Sequence, residues 1–259
     1  MKLLDPILKL VRKTLSLKQR RALRIILAKI YPWNLDQLAL IYGSDKWGGH
    51  FYTERYQEHF HKLRNKKLRI LEIGVGGYED PHYGGASLRM WKTYFPNSLI
   101  YSLDIYDKSP LQEKRIKIYQ GSQADEATLK KICDESGPFD IIIDDGSHIV
   151  SHILFTFQTL FPLMNEGGIY AIEDTQEFYW PSLGGNSENL DDPKASMSLF
   201  KKMTDGLNYQ ELLLPDYVPS YFDKNIVGMH FYHNLVVICK GRNDKPLYPP
   251  DHPKLVEQS

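Results

Sequence analysis

Two neighbouring apolar runs, each ending abruptly in carboxylates, constrain this chain more than anything else in it. The first is Phe139-Asp140-Ile141-Ile142-Ile143-Asp144-Asp145-Gly146-Ser147-His148 and the second is Gly168-Ile169-Tyr170-Ala171-Ile172-Glu173-Asp174. Each reads as a buried strand. A helix-length segment, from about Ser151 to Met164, lies between them. A strand–helix–strand unit of this kind makes the two strands parallel, with a right-handed crossover. Adjacent strands lie roughly 5 Å apart, so the carboxylates of Asp145, Glu173 and Asp174 are expected to converge at one edge of the sheet. Converging carboxylates repel unless a cation sits among them. Oxygen-only ligands suit a hard divalent ion such as Mg²⁺.

The same alternation continues along the chain. Strands are expected at Leu68–Ile73, Leu99–Asp104, Arg115–Tyr119, Phe139–Asp144, Gly168–Glu173, Val227–His233 and Leu235–Lys240. Helices are expected at about Ser87–Tyr94, Asp125–Glu135, Ser151–Met164 and Pro193–Thr204. This pattern predicts an α/β, doubly wound, Rossmann-like sheet that is mostly parallel. The last two strands are joined only by His233-Asn234, which predicts an antiparallel C-terminal hairpin.

The chain has 259 residues, enough for one large α/β domain and a short extension. The expected division is a basic helical extension over 1–34, a catalytic domain over 35–244 and a flexible tail over 245–259. Lys plus Arg and Asp plus Glu both number 32, and this balance gives no indication of nucleic acid as a partner. The charge is uneven, however. Residues 1–30 carry nine Lys or Arg against one Asp, interleaved with Leu and Ile. Three readings stay open: an amphipathic helix packing on the domain or on a second subunit, as in a homo-oligomer, peripheral contact with an anionic inner-membrane surface, or, least favoured, contact with nucleic acid. Cys133 and Cys239 fall in apolar patterns and read as small buried hydrophobes of a reducing compartment. With no secretory h-region and no run of 18 or more apolar residues, a cytoplasmic location is expected.

The first strand leads into Glu72-Ile73-Gly74-Val75-Gly76-Gly77. Glycines at this point let backbone approach a ligand closely. The dinucleotide fingerprint fails, because its third glycine position is Glu79. Glu-x-Gly-x-Gly, with Asp104 ending the second strand, is instead the pattern of S-adenosylmethionine (SAM) sites, and Asp104 is placed to accept from a ribose diol. After the third strand, Ser122 or Asp125 caps the following helix, or Ser122 and Gln123 sit at an adenine edge. One residue can do both.

These residues resemble the macrolide-sugar O-methyltransferase family, which includes the mycinamicin and tetracenomycin-rhamnose enzymes. The resemblance is carried in order by Gly43-Ser44-Asp45-Lys46 with His50 and Tyr52, by Leu71 to Gly77, by Gly85-Ala86-Ser87-Leu88-Arg89-Met90-Trp91, by Asp144-Asp145-Gly146-Ser147-His148 and by Ile172-Glu173-Asp174-Thr175. It covers about Leu40 to Arg242. It implies a class I SAM-dependent methyltransferase with a Mg²⁺ site, acting on a sugar hydroxyl of a glycosylated natural product or a lipid-linked glycan precursor. By the matching motifs, Asp145, Glu173 and Asp174 would hold the metal and His148 would be the general base. Glu72, Gly74, Gly76, Asp104, Ser122, Gln123 and Asp144 would belong to the cofactor pocket. Tyr52, Tyr179 and Trp180 are candidates for the acceptor, the last two in an aromatic, glycine-containing loop suited to stacking on sugar faces. His152 is a rival base one helical turn beyond His148. A catechol-type diol acceptor and a non-enzymatic SAM-binding or membrane-associated scaffold are the competing readings.

Overall fold

Seven strands and eight α-helices are found among residues 16–192 and 196–245, the residues described by this computed structural model. They fall into two units, Met1–Gly137 and Pro138–Ser259.

The first unit opens with α1 (Leu17–Ile30), capped by Ser16, whose side chain and Gln19 form a reciprocal capping box. Only this second half of the basic extension is described; the expectation for residues 1–15 lies outside the described residues. Ile25, Ile26 and Ile30 are exposed on α1. Two helices follow that were not anticipated, α2 (Leu35–Tyr42) and α3 (Tyr52–Phe60). Local signals for α2 exist: Asn34 accepts from Gln37 N–H at its start and Gly43, at φ 78°, ends it. Then come β1 (Arg69–Ile73), α4 (Ala86–Tyr94), β2 (Leu99–Asp104), β3 (Ile116–Gln120) and α5 (Glu126–Ser136). The three strands are parallel, with β1 and β3 on either side of β2. Helices α3 and α4 lock together through aromatic rings: Tyr56 and Phe60 meet the fully buried Trp91 at centroid distances of 5.2 and 5.9 Å. Such pairs contribute about 1 kcal/mol each beyond their buried area.

The second unit contains β4 (Ile141–Asp144), α6 (Val150–Leu160), β5 (Ile169–Glu173), α7 (Ser196–Gly206), α8 (Tyr221–Asn225), β6 (Ile226–Tyr232) and β7 (Leu235–Lys240). As expected, β4 and β5 are parallel, with Asp144 opposite Ile172. Helix α6 buries Val150, Ile153, Phe157 and Leu160, the face that a 3.6-residue period puts inside. It stops at Leu160, not near Met164. Pro162 has no N–H to continue the α ladder, and Phe161–Leu163 tightens into a 3-10 turn. β7 pairs antiparallel with both β5 and β6, and the hairpin turns at His233-Asn234, where Asn234 takes φ 59°. Strand β6 lies at the outer edge beside β7, with His230 and Phe231 exposed. No helix among the described residues is long and apolar enough to cross a membrane. The tail beyond residue 245 lies outside the described residues.

Candidate active site

In the first unit, the glycine turn after β1 folds back on itself. Gly74, Gly76, Gly77, Gly84 and Gly85 all have positive φ. A Cβ on Gly77 would lie 2.2 Å from the Tyr83 carbonyl oxygen, and one on Gly84 would lie 2.2 Å from that of Gly76, so backbone packs directly on backbone there. A Cβ on Gly76 would meet nothing within 4 Å. The turn therefore presents bare main chain to open space, as close approach of a ligand to the backbone requires. Asp104 braces it. One carboxylate oxygen accepts the Val75 N–H at 2.8 Å and the other the Tyr106 N–H at 2.9 Å. Each oxygen keeps a second lone pair for a ligand. The buried ammonium of Lys108 donates to the carbonyls of Asp80 and Tyr83 and pins the far side of the loop.

Glu72 is fully buried on β1. Lys46 Nζ lies 3.2 Å from its Oε1, with 1% of the lysine side chain exposed, and the Ser87 hydroxyl donates to its Oε2 at 2.8 Å. A carboxylate this deep needs such partners. The acid thus ties the Gly43–Lys46 motif and the first turn of α4 to the strand that carries the glycines. In the sequence Lys46 is marked only by its place in the Gly43–Lys46 motif. Beyond β3, Asp125 is the helix cap, accepting the N–H groups of Ala127 and Thr128. Ser122 accepts the Ala124 N–H across the same bend, and Gln123 is buried. Tyr52, at the start of α3, is buried and stacks on half-buried His50 at 4.9 Å.

In the second unit, the ends of β4 and β5 bring Asp145, His148 and Asp174 together: one ligand atom from each lies within 4.8 Å of the other two. All three are half-buried. Glu173 precedes Asp174 as the buried last residue of β5. Asp144, the last residue of β4, is in the core and accepts the Tyr170 hydroxyl at 3.2 Å. Burial first, and the neighbouring Asp144 second, push the Tyr170 hydroxyl well above its usual pKa. Two side-chain-bearing residues here adopt left-handed backbone, His148 at φ 60° and Asp174 at φ 53°. Each costs on the order of 1 kcal/mol, and such strain persists only where the surroundings over-determine it. Asp174 does not cap the next segment with its side chain; its carboxylate accepts from the Gln176 amide at 3.2 Å, and its main-chain carbonyl starts the 3-10 turn Thr175–Tyr179.

Glu177, on that turn, had not been anticipated. His148 Nδ1 lies 3.2 Å from Glu177 Oε2, while Nε2 lies 4.0 Å from Asp174 Oδ2. The available signal was spacing: an acid one turn after an acidic pair. The rival His152 contacts the exposed Ser147 hydroxyl through Nδ1 at 3.0 Å. The aromatic loop divides. Phe178 is core, stacked with Phe200, whereas Tyr179 and Trp180 are exposed. Tyr179 borders an open cavity of about 180 Å³ with Phe178, Asn186, Leu190, Met197 and Lys201. Gly185 is required at the loop's close, because a Cβ there would lie 2.3 Å from the Phe178 carbonyl oxygen.

Parallel strands joined by helices, a folded-back glycine turn braced by an acidic strand end, and a terminal antiparallel hairpin define the class I methyltransferase fold. Comparison with known proteins narrows the class. The mycinamicin VI 2''-O-methyltransferase of Micromonospora griseorubida is 46% identical over 232 residues, which cover 87% of this chain and 58% of that enzyme. The 8-demethyl-8-(2-methoxy-alpha-L-rhamnosyl)-tetracenomycin-C 3'-O-methyltransferase of Streptomyces olivaceus is 43% identical over 84% of this chain and 56% of its own length. The crystal structure of the MycE methyltransferase of the mycinamycin pathway, in complex with Mg, SAH and mycinamycin VI, superposes with a TM-score of 0.78 at 45% identity, covering 87% of this chain and 58% of that one. No family model matches the chain. The chain belongs to the macrolide- and antibiotic-sugar O-methyltransferase family. It spans a little over half the length of these relatives.

Proposed function

We propose that the chain, through residues 35–244, transfers the methyl group of SAM to a sugar hydroxyl in a Mg²⁺-dependent reaction. The observation that carries this reading is the meeting of Asp145, His148 and Asp174 beyond two consecutive strand ends, with His148 and Asp174 on left-handed backbone. The kinship supports it: relatives at 42–46% identity are O-methyltransferases of antibiotic glycosides, and one was crystallised with Mg, SAH and a macrolide.

The donor set fits the metal, since carboxylate oxygens suit a hard cation and Asp145 and Asp174 already approach one another. Asp145, Glu173 and Asp174 would hold it. The glycine turn fits the cofactor, because main chain at Gly76 is open to close approach. Gly74 and Gly76 would line that approach, Asp104 would accept from the ribose, Ser122 and Gln123 would border the adenine, and Glu72 would anchor the turn from beneath. When bound, the sulfonium supplies an electrophilic methyl group and the metal supplies a Lewis acid that orients vicinal hydroxyls.

The chain's own task is to hold the acceptor oxygen in line and to remove its proton. A neutral sugar hydroxyl is a poor nucleophile. The imidazole of His148 accepts that proton as the new O–CH₃ bond forms, and base catalysis of this type contributes roughly 10²–10⁴-fold. Fixing the oxygen relative to the donor contributes as much or more. Tyr179 and Trp180, exposed beside the acidic turn, offer ring faces to a sugar.

The test is Asp145→Asn. Methyl transfer to a panel of rhamnosides and macrolide glycosides should drop by at least about 10²-fold, while SAH affinity by calorimetry stays within about threefold. Wild-type turnover that survives excess EDTA would overturn the metal assignment. A panel on which catechols react and glycosides do not would transfer the reading to a diol methyltransferase.

A further inference from the structure

We infer that the cavity beside Tyr179 is an apolar subsite for the acceptor: it takes a single ring or a branched alkyl group of the aglycone attached to the sugar, and Met197 and Leu190 set the size it admits. This rests on the sugar methylation proposed above and adds the kind of glycoside that the same site prefers.

One short stretch of chain joins the cavity to the acidic cluster. The turn Thr175–Tyr179 starts at the Asp174 carbonyl, brings Glu177 Oε2 to 3.2 Å from His148 Nδ1, and ends in Phe178 and Tyr179, which line the cavity. Two residues span at most about 7 Å, so a glycoside whose sugar lies at His148 can bring its next group to Tyr179. The returning limb of the loop stays in the same neighbourhood. A Cβ on Gly184 would meet the Val150 side chain at 3.6 Å, two residues beyond His148. The Asn186 N–H then closes the loop by donating to the Phe178 carbonyl at 3.0 Å.

The polar groups of the lining are engaged within the loop itself. Lys201 Nζ donates to the Leu190 carbonyl at 2.7 Å and to Asp191 at 2.9 Å. The Asn186 amide donates to Asp192 at 2.9 Å, and its oxygen accepts the N–H groups of Glu188 and Asn189. What remains for a ligand is the rings of Phe178 and Tyr179 and the side chains of Leu190 and Met197. The volume of about 180 Å³ is smaller than the roughly 300–1,000 Å³ of pockets that enclose a whole ligand, and close to the roughly 150 Å³ of an apolar cavity that takes up benzene. A further saccharide fits this lining poorly, because its hydroxyls would lose water without gaining partners. The walls differ in how far they yield. Phe178 is buried and stacked on Phe200, so it forms a fixed floor. Met197 has an unbranched thioether that adapts its shape, and Leu190 stands half out of the surface at the rim.

The experiment compares phenyl α-L-rhamnoside with methyl α-L-rhamnoside on the full chain with SAM and Mg²⁺. The wild type should favour the phenyl glycoside by about 10–100-fold in kcat/KM, the discrimination that an apolar pocket of this size supports. Met197→Trp fills the cavity and should bring that ratio to within about threefold of unity. Leu190→Trp obstructs the rim, should act in the same direction, and serves if the first variant fails to fold. The ratio is taken within each protein, so a general loss of activity cancels. A second readout needs no turnover. With SAH bound, the ¹³C-methyl resonance of Met197, assigned by its loss in Met197→Leu, should shift on adding the phenyl glycoside and stay in place with the methyl glycoside. A wild-type ratio below about threefold, a ratio that both tryptophan variants leave intact, or a Met197 resonance that does not move overturns the inference. If neither glycoside is methylated while Met197 responds to the phenyl compound alone, the proposed function fails and the subsite stands.

Discussion

Replacing Asp104 tests whether it only braces the glycine turn or also, as proposed, meets the ribose. The Val75 N–H that Asp104 accepts at 2.8 Å belongs to a residue only 4% exposed. A hydrogen bond to a charged partner at such a place is worth about 1.5–3 kcal/mol. The second bond, to Tyr106 N–H at 2.9 Å, is at an exposed position and is worth roughly 0.5–1 kcal/mol. Asp104→Ala should therefore cost about 2–4 kcal/mol. For a chain of this size, that lowers Tm by about 5–10 °C. Asp104→Asn keeps one acceptor oxygen in place, so its loss should be about half as large. Differential scanning fluorimetry reads the stability and titration calorimetry reads SAH binding. Asp104→Ala should weaken SAH by about tenfold or more, since about 1.4 kcal/mol is one decade. If Asp104 only braces the turn, Asn restores affinity in step with Tm. If it also touches the ribose, Asn binds SAH more weakly than its Tm implies. A Tm for Asp104→Ala within 1 °C of wild type would refute the reasoning.

Two further expectations concern sites away from the acidic cluster. Gly77→Ala combines a positive φ with a clash against the Tyr83 backbone, whereas Gly167→Ala has a similar φ and open space, so urea titration should show about 2–4 kcal/mol lost at the first and about 1 kcal/mol at the second; equal losses would mean that the close approach in the turn is not what selects glycine. Burial, and then the neighbouring Asp134, push the Cys133 thiol up to about 11. Thiolate is then scarce at pH 8, and iodoacetamide should label the native thiol more than about tenfold more slowly than the urea-unfolded one; mass spectrometry showing equal rates would contradict the burial.

The strand set was legible because strands buried on both faces are near-continuous runs of apolar residues rich in branched side chains. Leu99–Asp104 and Leu235–Lys240 match the observed elements residue for residue. So was the convergence of the second unit's acids, because two parallel strands one crossover apart must end on the same side. Less legible were α2 and α3, whose caps are visible only once one looks for them, and the early end of α6, where Pro162 outweighs an apolar pattern that runs on to Met164. The aromatic loop reads as one feature in the sequence, yet Phe178 turns into the core while Tyr179 and Trp180 face outward.

Residue order by itself determined the repeating strand–helix rhythm, the glycine turn and the placement of carboxylates at strand ends, since each is written in a local period or a local backbone requirement. What each carboxylate does was decided only by the tertiary structure. Glu72 and Asp104 look alike as acids at the ends of neighbouring strands. One is sealed beneath Lys46 and Ser87, while the other clasps two main-chain N–H groups at the turn. Glu177 is marked in the sequence only by its spacing, one turn after an acidic pair. It gains its place because Asp174 turns left-handed and brings it against His148. Periodicity is a property of neighbours along the chain, whereas the environment of a charge depends on groups that only folding brings within a few ångströms.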